Sequence, residues 1–543
     1  MEVGIDFGTT YSTVCYDSNG ISGCLPIAGS VFVPTVVFIP EGKTEYYIGN
    51  VAHERAASSK GRLYVNLKRW VGATKQNINV FRRKLKNEHD VQVHGDYDVR
   101  IGGIGEGTDR CIRVTTLIFL FLKALIVEVE SAVNKRVDGF VCSVPADYNS
   151  FKRGYLAVAA EKLQRNIRAL VNEPTSAALF SMARSDLKGD VVSVFDFGGG
   201  TFDVSILVRV ADIYCVMYSI GDNYLGGRDV DRAIIEVVYN KLNGMVDRTD
   251  LLTSIQGIKE DISSRPELED HLVQSGGRIY SFKLTHEELA EISLPFIQRA
   301  VALFTCGLKT LGNPSTVVVL TGGSSSLPGV DGLLRQIPCV TDIYFSTRDY
   351  RISVAAGAKV YSDILCGGSS MRLIDTLTHS LSDELSHFTP KLIFPKGCVV
   401  PNKISIDFGV SGSSIPYGVM EGESNISWLN EMTFKGIHSR RSSAKKSDKA
   451  TYAISIDGRL SLSVDGDTVE NIMKASEVEN EYESFQYQDG LQESYDRYLK
   501  DYTSDISELY DIKLTLEDLE QKIDSGTFND PKDLLKNNHA HRI

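Results

Sequence analysis

The chain of 543 residues has no Cys-x-x-Cys pair, and its nine cysteines are scattered and odd in number. That spacing excludes a zinc-ribbon framework. Most of the cysteines, Cys142 and Cys215 among them, sit inside apolar runs, so buried thiols in a reducing compartment are expected rather than disulfides. No apolar run is long enough to cross a bilayer: Leu117 to Val127 is broken by Lys123 and reads as a buried helix. The opening Met1-Glu2-Val3-Gly4 runs straight into a strand, so neither a secretory signal nor a transmembrane segment is expected. Positive charge is scarce as well, with 58 Lys and Arg against 70 Asp and Glu, a net −12. Five basic and 15 acidic residues between Lys474 and Asp524 account for most of that excess. Non-specific or sequence-specific nucleic-acid binding by the surface is therefore disfavoured. The one basic cluster, Arg440, Arg441, Lys445, Lys446 and Lys449, is short, lacks interleaved aromatics and reads as a solvated loop. His539 and His541 are too few to argue for a metal.

With 42% apolar and 24% charged residues, the composition is that of a soluble globular protein of two to four domains. Its most informative feature is a repeat. Ile5-Asp6-Phe7-Gly8-Thr9-Thr10 returns, modified, as Phe195-Asp196-Phe197-Gly198-Gly199-Gly200-Thr201. Each copy follows a β-branched run and precedes a second alternating run, so both read as strand, glycine turn, strand. Two related lobes facing each other are implied. Helical periodicity at Val114 to Val133, Ser150 to Gln164, Thr175 to Ser185, Arg228 to Leu242 and Thr285 to Leu308 alternates with strands, the signature of an α/β domain. The pattern ends near Leu365. A first domain over 1–368 is expected, then a linker over 369–376, a small β-rich domain over 377–470, and an acidic, mainly helical region over 471–543.

Two glycine hairpins are what a triphosphate needs, because glycine lets backbone amides approach phosphate oxygens. Thr9, Thr10 and Thr201 add hydroxyls, and Asp6 and Asp196 are placed to hold hydrated magnesium, which keeps oxygen ligands and several waters. Neither hairpin is a Walker loop. Lys68, in Asn66-Leu67-Lys68-Arg69-Trp70, can bring a cation to the γ-phosphate or the attacking water. Glu173, at the junction of a strand and a helix, suits a water ligand or base, and equally an ordinary first-turn carboxylate. Thr321-Gly322-Gly323-Ser324-Ser325, after the run Val317 to Leu320, is a candidate contact for the sugar or base.

Taken together, Ile5 to Val14, Lys68 to Gly72, Val144-Pro145-Ala146 with Arg153, Asn172 to Ala178, Phe195 to Leu207, Gly221-Asp222 with Leu225-Gly226-Gly227, and Thr321 to Pro328 resemble the seventy-kilodalton heat-shock chaperones of the actin-like ATPase superfamily. The resemblance implies an actin-like two-lobed ATPase domain of duplicated ribonuclease-H-like lobes. It implies ATP or ADP with magnesium held through water by Asp6 and Asp196. Gly8, Thr9, Thr10, Tyr11, Gly198, Gly199, Gly200 and Thr201 would cradle the phosphates, with Gly226, Gly227, Lys259, Ser263, Gly322, Gly323 and Ser324 around the nucleoside. Lys68, Glu173, Asp203 and Thr201 would organise slow hydrolysis, and Pro145 and Arg153 a relay to the next domain.

Departures accompany the likeness. On the stretch Gln256 to Ser264, Gln256 stands where the family has an acid and Glu260 where it has an arginine. Ser326 replaces a further arginine, Arg228 replaces an acid, and Met371-Arg372-Leu373-Ile374-Asp375 replaces an all-leucine linker. Those departures, with Gly61 to Asn66, VPADYNSFKR from Val144 to Arg153, and Phe394-Pro395-Lys396-Gly397, resemble the heat-shock-70 homologues of closteroviruses, the ampelovirus type in particular. That family implies a virion-tail and movement protein in host cytoplasm, at plasmodesmata and on the virion. Its partners would be viral coat-type proteins, host cytoskeletal or plasmodesmal proteins, and J-domain-type cochaperones. A conventional folding chaperone that binds unfolded peptides in an ATP cycle is the alternative reading; a sugar-type kinase of the same superfamily is the third.

Overall fold

β-Branched runs separated by amphipathic helices build layered sheets in this computed structural model. It describes residues 1–487 apart from 19–20, 25–29, 86–89, 106–110, 184–188, 345–351, 385–389, 410–413, 425–429, 440–446 and 479–484. The greater part of the acidic C-terminal stretch, the two terminal histidines and most of the basic cluster lie outside the described residues. The described residues belong to one unit, Met1–Gln488.

The first sheet runs Asn166–Asn172, Gly139–Val144, Glu2–Phe7, Tyr11–Ser18, Ile21–Cys24, with Val33–Pro34 also on Tyr11–Ser18. Its first three strands are parallel and the next two antiparallel. The second sheet begins Val340–Tyr344, Thr316–Thr321, Val191–Phe197, Phe202–Val210, Ile213–Asp222, with the same order and the same senses. The repeat seen in the sequence is thus a repeat of topology, and it puts each glycine turn at the same place in its sheet. Helices Glu173–Ala183 and Ser353–Leu365 pack against each other between the sheets. Their backbones touch so closely that a Cβ on Gly357 would lie 1.7 Å from the Ser176 carbonyl oxygen.

Helix Val114–Val133 buries Leu117, Ile118, Leu120, Phe121 and Leu125 in the first core. By length and composition His286–Thr310 is the one described helix apolar enough to cross a membrane. Here its Leu289, Ile297, Phe304 and Leu308 face fills the core of the second half, and a Thr285–Glu288 capping box closes its N-terminus.

Within the stretch expected to link, Arg372–Thr376 adds a parallel strand to Ile213–Asp222, and Val399–Val400 pairs beyond it. Two four-stranded sheets follow, Lys391–Phe394, Leu381–Asp383, Ser414–Glu421, Glu431–Ser439, and Asn402–Gly409, Ser447–Ile454, Leu460–Val464, Asp467–Val469. They dock on helix Ser150–Glu161: Glu431 accepts from Asn149 Nδ2 (2.8 Å) and pairs with Lys152 (2.8 Å), and Ser150 Oγ accepts from Leu460 N (2.9 Å). The chain then returns. Met473, Ala475, Val478 and Phe485 join the first core, and Gln486–Tyr487 pairs in parallel with Glu45–Ile48.

One expectation is corrected. Cys15 and Cys24 form a disulfide across the antiparallel pair Tyr11–Ser18 and Ile21–Cys24, where the register sets them opposite each other. Spacing along the chain gave no sign of that register.

Candidate functional site

The two glycine turns face each other across a cleft, an open space of about 920 Å³. Their approach leaves no room for side chains: a Cβ on Gly199 would sit 2.4 Å from Thr10 Oγ1, and one on Gly200 2.7 Å from Thr9 Oγ1. The two threonines of the first turn therefore lie over the bare backbone of the second. Behind the second turn, helix Gly227–Lys241 begins with Gly227 N on Gly198 O (3.0 Å) and Arg228 N on Gly199 O (2.9 Å). Gly226 is required there, since its Cβ would meet Gly200 N at 2.6 Å.

Three carboxylates converge on the floor, with a fourth, Asp203, behind them. Asp6 and Asp196 end equivalent strands, Glu173 opens helix Glu173–Ala183, and Asp203 lies opposite Asp196 in the hairpin register. Ser143 Oγ donates to Asp6 (2.8 Å), and Ala146 N donates to Asp203 (2.8 Å). Lys68 supplies the only cation among them: its ammonium donates to Phe7 O (2.7 Å) and is ion-paired with Glu173. Burial, then repulsion from Glu173, pushes Asp6 up to about 7 against the pull of Lys68 and Ser143. Asp196 is driven well above the carboxylate range by burial, then by Glu173 and Asp6. Asp203 is driven up likewise by burial, Asp147, Glu173 and Asp196. Burial works against the charge on Lys68, but Glu173 and Asp6 outweigh it and hold its pKa up. Such a surplus of buried negative charge is relieved by a divalent cation, and an all-oxygen donor set suits magnesium. Among the described residues no three His, Cys, Asp or Glu side chains stand close enough to hold a metal ion directly.

Away from the carboxylates the cleft is lined by helix Arg248–Ser264. Gln256 Nε2 donates to the Tyr11 hydroxyl (3.2 Å) and to Glu260 Oε1 (3.0 Å). Lys259 pairs with Asp231 (2.7 Å) and donates to Gly227 O (3.1 Å), and Ser324 Oγ donates to Gly198 O (2.9 Å). Paired glycine turns, an acidic floor with one lysine, and a helix wall at the far end define a nucleotide-type cleft.

Comparison with known proteins decides its family. The Hsp70 protein family model matches residues 2–432. The chain belongs to the Hsp70 family. It is similar to the movement protein Hsp70h of Grapevine leafroll-associated virus 3, 42% identical over 523 residues, 96% of this chain and 95% of the relative. The movement protein Hsp70h of Beet yellows virus is 30% identical, over 80% of this chain and 75% of its own length. The chaperone protein HscA homolog of Delftia acidovorans is 28% identical, over 85% of this chain and 75% of the relative. The two-lobed actin-like ATPase fold of the Hsp70 family accords with the paired sheets described above.

Of the residues singled out in the sequence, Asp6, Gly8, Thr9, Thr10, Tyr11, Lys68, Glu173, Asp196, Gly198, Gly199, Gly200, Thr201, Lys259, Gly322, Gly323 and Ser324 line this Hsp70-type cleft. Asp203, Gly226 and Gly227 stand behind it. Ser263 does not line it; its hydroxyl donates to Lys259 O one turn back (2.8 Å). Pro145 and Arg153 lie outside. Arg153 donates to Asn172 Oδ1 (2.6 Å), Tyr148 O (2.8 Å) and Asp457 O (3.3 Å), so it ties the residue before Glu173 to the C-terminal strands. Thr321, named with the Gly322-Gly323 turn, also lines the cleft; sequence reasoning missed Ser143, Asp231 and Phe32. Of these only Ser143 carried a signal, standing just before the Val144-Pro145-Ala146 segment.

Proposed function

We propose that this chain binds ATP with magnesium, hydrolyses it slowly, and uses that cycle in assembling a filamentous virion and carrying it between cells. The observation that carries the reading is the pair of apposed glycine turns over the floor of Asp6, Asp196, Glu173 and Lys68. The backbone amides and Thr9, Thr10 and Thr201 bind the phosphates. Asp6 and Asp196 hold the magnesium through water; when bound, the ion screens the β- and γ-phosphate oxygens. Lys68 faces the γ-phosphate, and Glu173, with Asp203 behind it, positions a water whose oxygen bonds to γ-phosphorus and whose proton passes to Glu173 as the bond from γ-phosphorus to the bridging oxygen breaks. Pro145 and Arg153 pass nucleotide state to the strands after residue 376, with 1–368 acting as the nucleotide domain, 369–376 as the link, 377–470 as a β-rich domain and 471–543 as an acidic C-terminal region whose first part packs back on the first core.

The movement role draws on the names of the viral relatives, and the likeness to the Grapevine leafroll-associated virus 3 protein spans nearly the whole chain. Coat-type proteins on the particle are the partners proposed, with host cytoplasm and plasmodesmata as the place. A viral genome carrying Asp196→Ala in this chain should replicate in single cells and fail to spread. Normal spread of that variant would remove the nucleotide cycle from the movement role. ATP-sensitive capture of extended apolar peptides would favour the folding-chaperone reading instead.

A further inference from the structure

The C-terminal strands are tied to both halves of the molecule by the chain that enters them and the chain that leaves them. On the way in, Arg372–Thr376 lies as a parallel strand on Ile213–Asp222 of the second half, with Arg372 N donating to Asp212 O (2.9 Å) and Thr376 Oγ1 to Val216 O (3.2 Å). The next amide, Leu377 N, already donates to Cys398 O (2.8 Å) among the C-terminal strands. On the way out, Ile472 N donates to Lys435 O (2.8 Å) of strand Glu431–Ser439, and the next side chain, Met473, is buried in the first core. Neither end has a residue of slack.

The exit is anchored further along. Ala475, Val478 and Phe485 are buried in the same core, none more than 3% exposed. Gln486 N donates to Thr44 O (2.8 Å), the Tyr487 ring lies 5.3 Å from that of Tyr46, and its hydroxyl donates to the buried carboxylate of Glu128. Between the two ends the strands also touch both halves directly. Glu431 holds Asn149 and Lys152 on the first, and the Lys396 ammonium lies 4.2 Å from the centroid of the Tyr218 ring on the second.

We propose that the C-terminal strands are a fixed brace across the two halves, docked in every nucleotide state. ATP binding and hydrolysis then alter the strain at the junction without releasing it. Release would draw Met473, Val478 and Phe485 into water one after another, and each of these buried side chains opposes it by roughly tenfold or more. A nucleotide can drive release only by as much as its affinity differs between the docked and released forms. The brace is built from contacts within the chain and stands independently of the ATP reading.

Three backbone amides report the junction. Ser150 N and Phe151 N open helix Ser150–Glu161, where amides have no partner in their own helix, and they donate instead to Glu421 Oε2 and Thr433 Oγ1 (both 3.3 Å). Leu460 N donates to Ser150 Oγ (2.9 Å). The test is hydrogen exchange of the full-length chain, read by mass spectrometry of peptides spanning these residues, without nucleotide, with magnesium ADP and with magnesium ATP. Exchange should be slow and agree within about twofold in all three conditions. Met473→Ser combined with Phe485→Ala frees the exit and should speed exchange at the three amides about tenfold or more, with circular dichroism unchanged. Tyr487→Phe, which removes one hydroxyl, should speed exchange of the Gln486 amide and leave the fold intact. Loss of protection in the parent chain with either nucleotide, or parental rates in the double variant, overturns the brace. Should the double variant not fold, an unmoved Gln486 amide in Tyr487→Phe overturns the anchored exit in its place. A chain that binds neither nucleotide removes the ATP reading alone, because the comparison of parent and variants needs none.

Discussion

Glu421 is a buried carboxylate at the junction between the C-terminal strands and helix Ser150–Glu161, 8% exposed. Its Oε2 accepts from Ser150 N (3.3 Å), and Arg153, Lys152 and Glu431 surround it. Burial pushes its pKa from 4.5 up to about 7, only partly offset by the Ser150 amide and Arg153. The sign follows. The folded chain holds this proton more tightly than the unfolded one, so the contribution of Glu421 to stability is greatest below pH 4.5 and is lost as pH rises toward 7. A gap of that size, at about 1.4 kcal/mol per pH unit, puts the loss at about 3 kcal/mol by pH 8. Glu421→Gln keeps the shape and the acceptor for Ser150 N but carries no charge. It should therefore raise the midpoint of thermal or urea unfolding at pH 8, by about 3 kcal/mol in the unfolding step that includes this junction, and change little at pH 4.5. Differential scanning calorimetry at the two pH values reads this directly. A Gln variant less stable than the parent at pH 8 would refute the reasoning, because it would make the Glu421 carboxylate a net favourable partner of Arg153.

Lys68→Met removes the cation between Phe7 O and Glu173; single-turnover hydrolysis should fall at least about 100-fold while labelled nucleotide still binds. Gly226→Ala forces a methyl against Gly200 N, and should abolish nucleotide binding in a chain whose circular dichroism is unchanged. Phe485→Ala empties a buried site in the first core and should cost about 3 kcal/mol in urea unfolding, with earlier cleavage by protease after residue 472.

Much of this architecture can be read from local patterns. Val114 to Val133 is a 20-residue apolar helix whose end is marked by Asn134 in the left-handed region (φ 50°), and its bounds are the same in sequence and structure. The repeated strand–glycine–strand units stand out because β-branched runs and glycine turns are local features. They become the equivalent hairpins of two sheets with one strand order. The floor residues were legible for the same reason: Asp6 and Asp196 are fixed by their place in the repeat. What escaped depends on pairing at a distance. Arg372–Thr376 carries little alternation of its own, and becomes a strand because Ile213–Asp222 offers an open edge. The Cys15–Cys24 pair needs the hairpin register. Asp231 matters only because helix Gly227–Lys241 brings it to Lys259 on another helix. The swap of acid for amide at Gln256 was visible, but not its consequence, since the double hydrogen bond to Tyr11 and Glu260 joins residues 245 apart as well as four apart.

The central claim is that the acidic floor and the paired glycine turns form a working magnesium-nucleotide site. The most direct measurement is calorimetric binding of ATP with magnesium to the purified full-length chain, followed by single-turnover release of phosphate, beside Asp196→Ala. The account predicts saturable binding and slow release in the parent chain, with phosphate release lost in the variant and the fold retained. Absence of binding by the folded parent chain, or equal turnover by the two proteins, would contradict it.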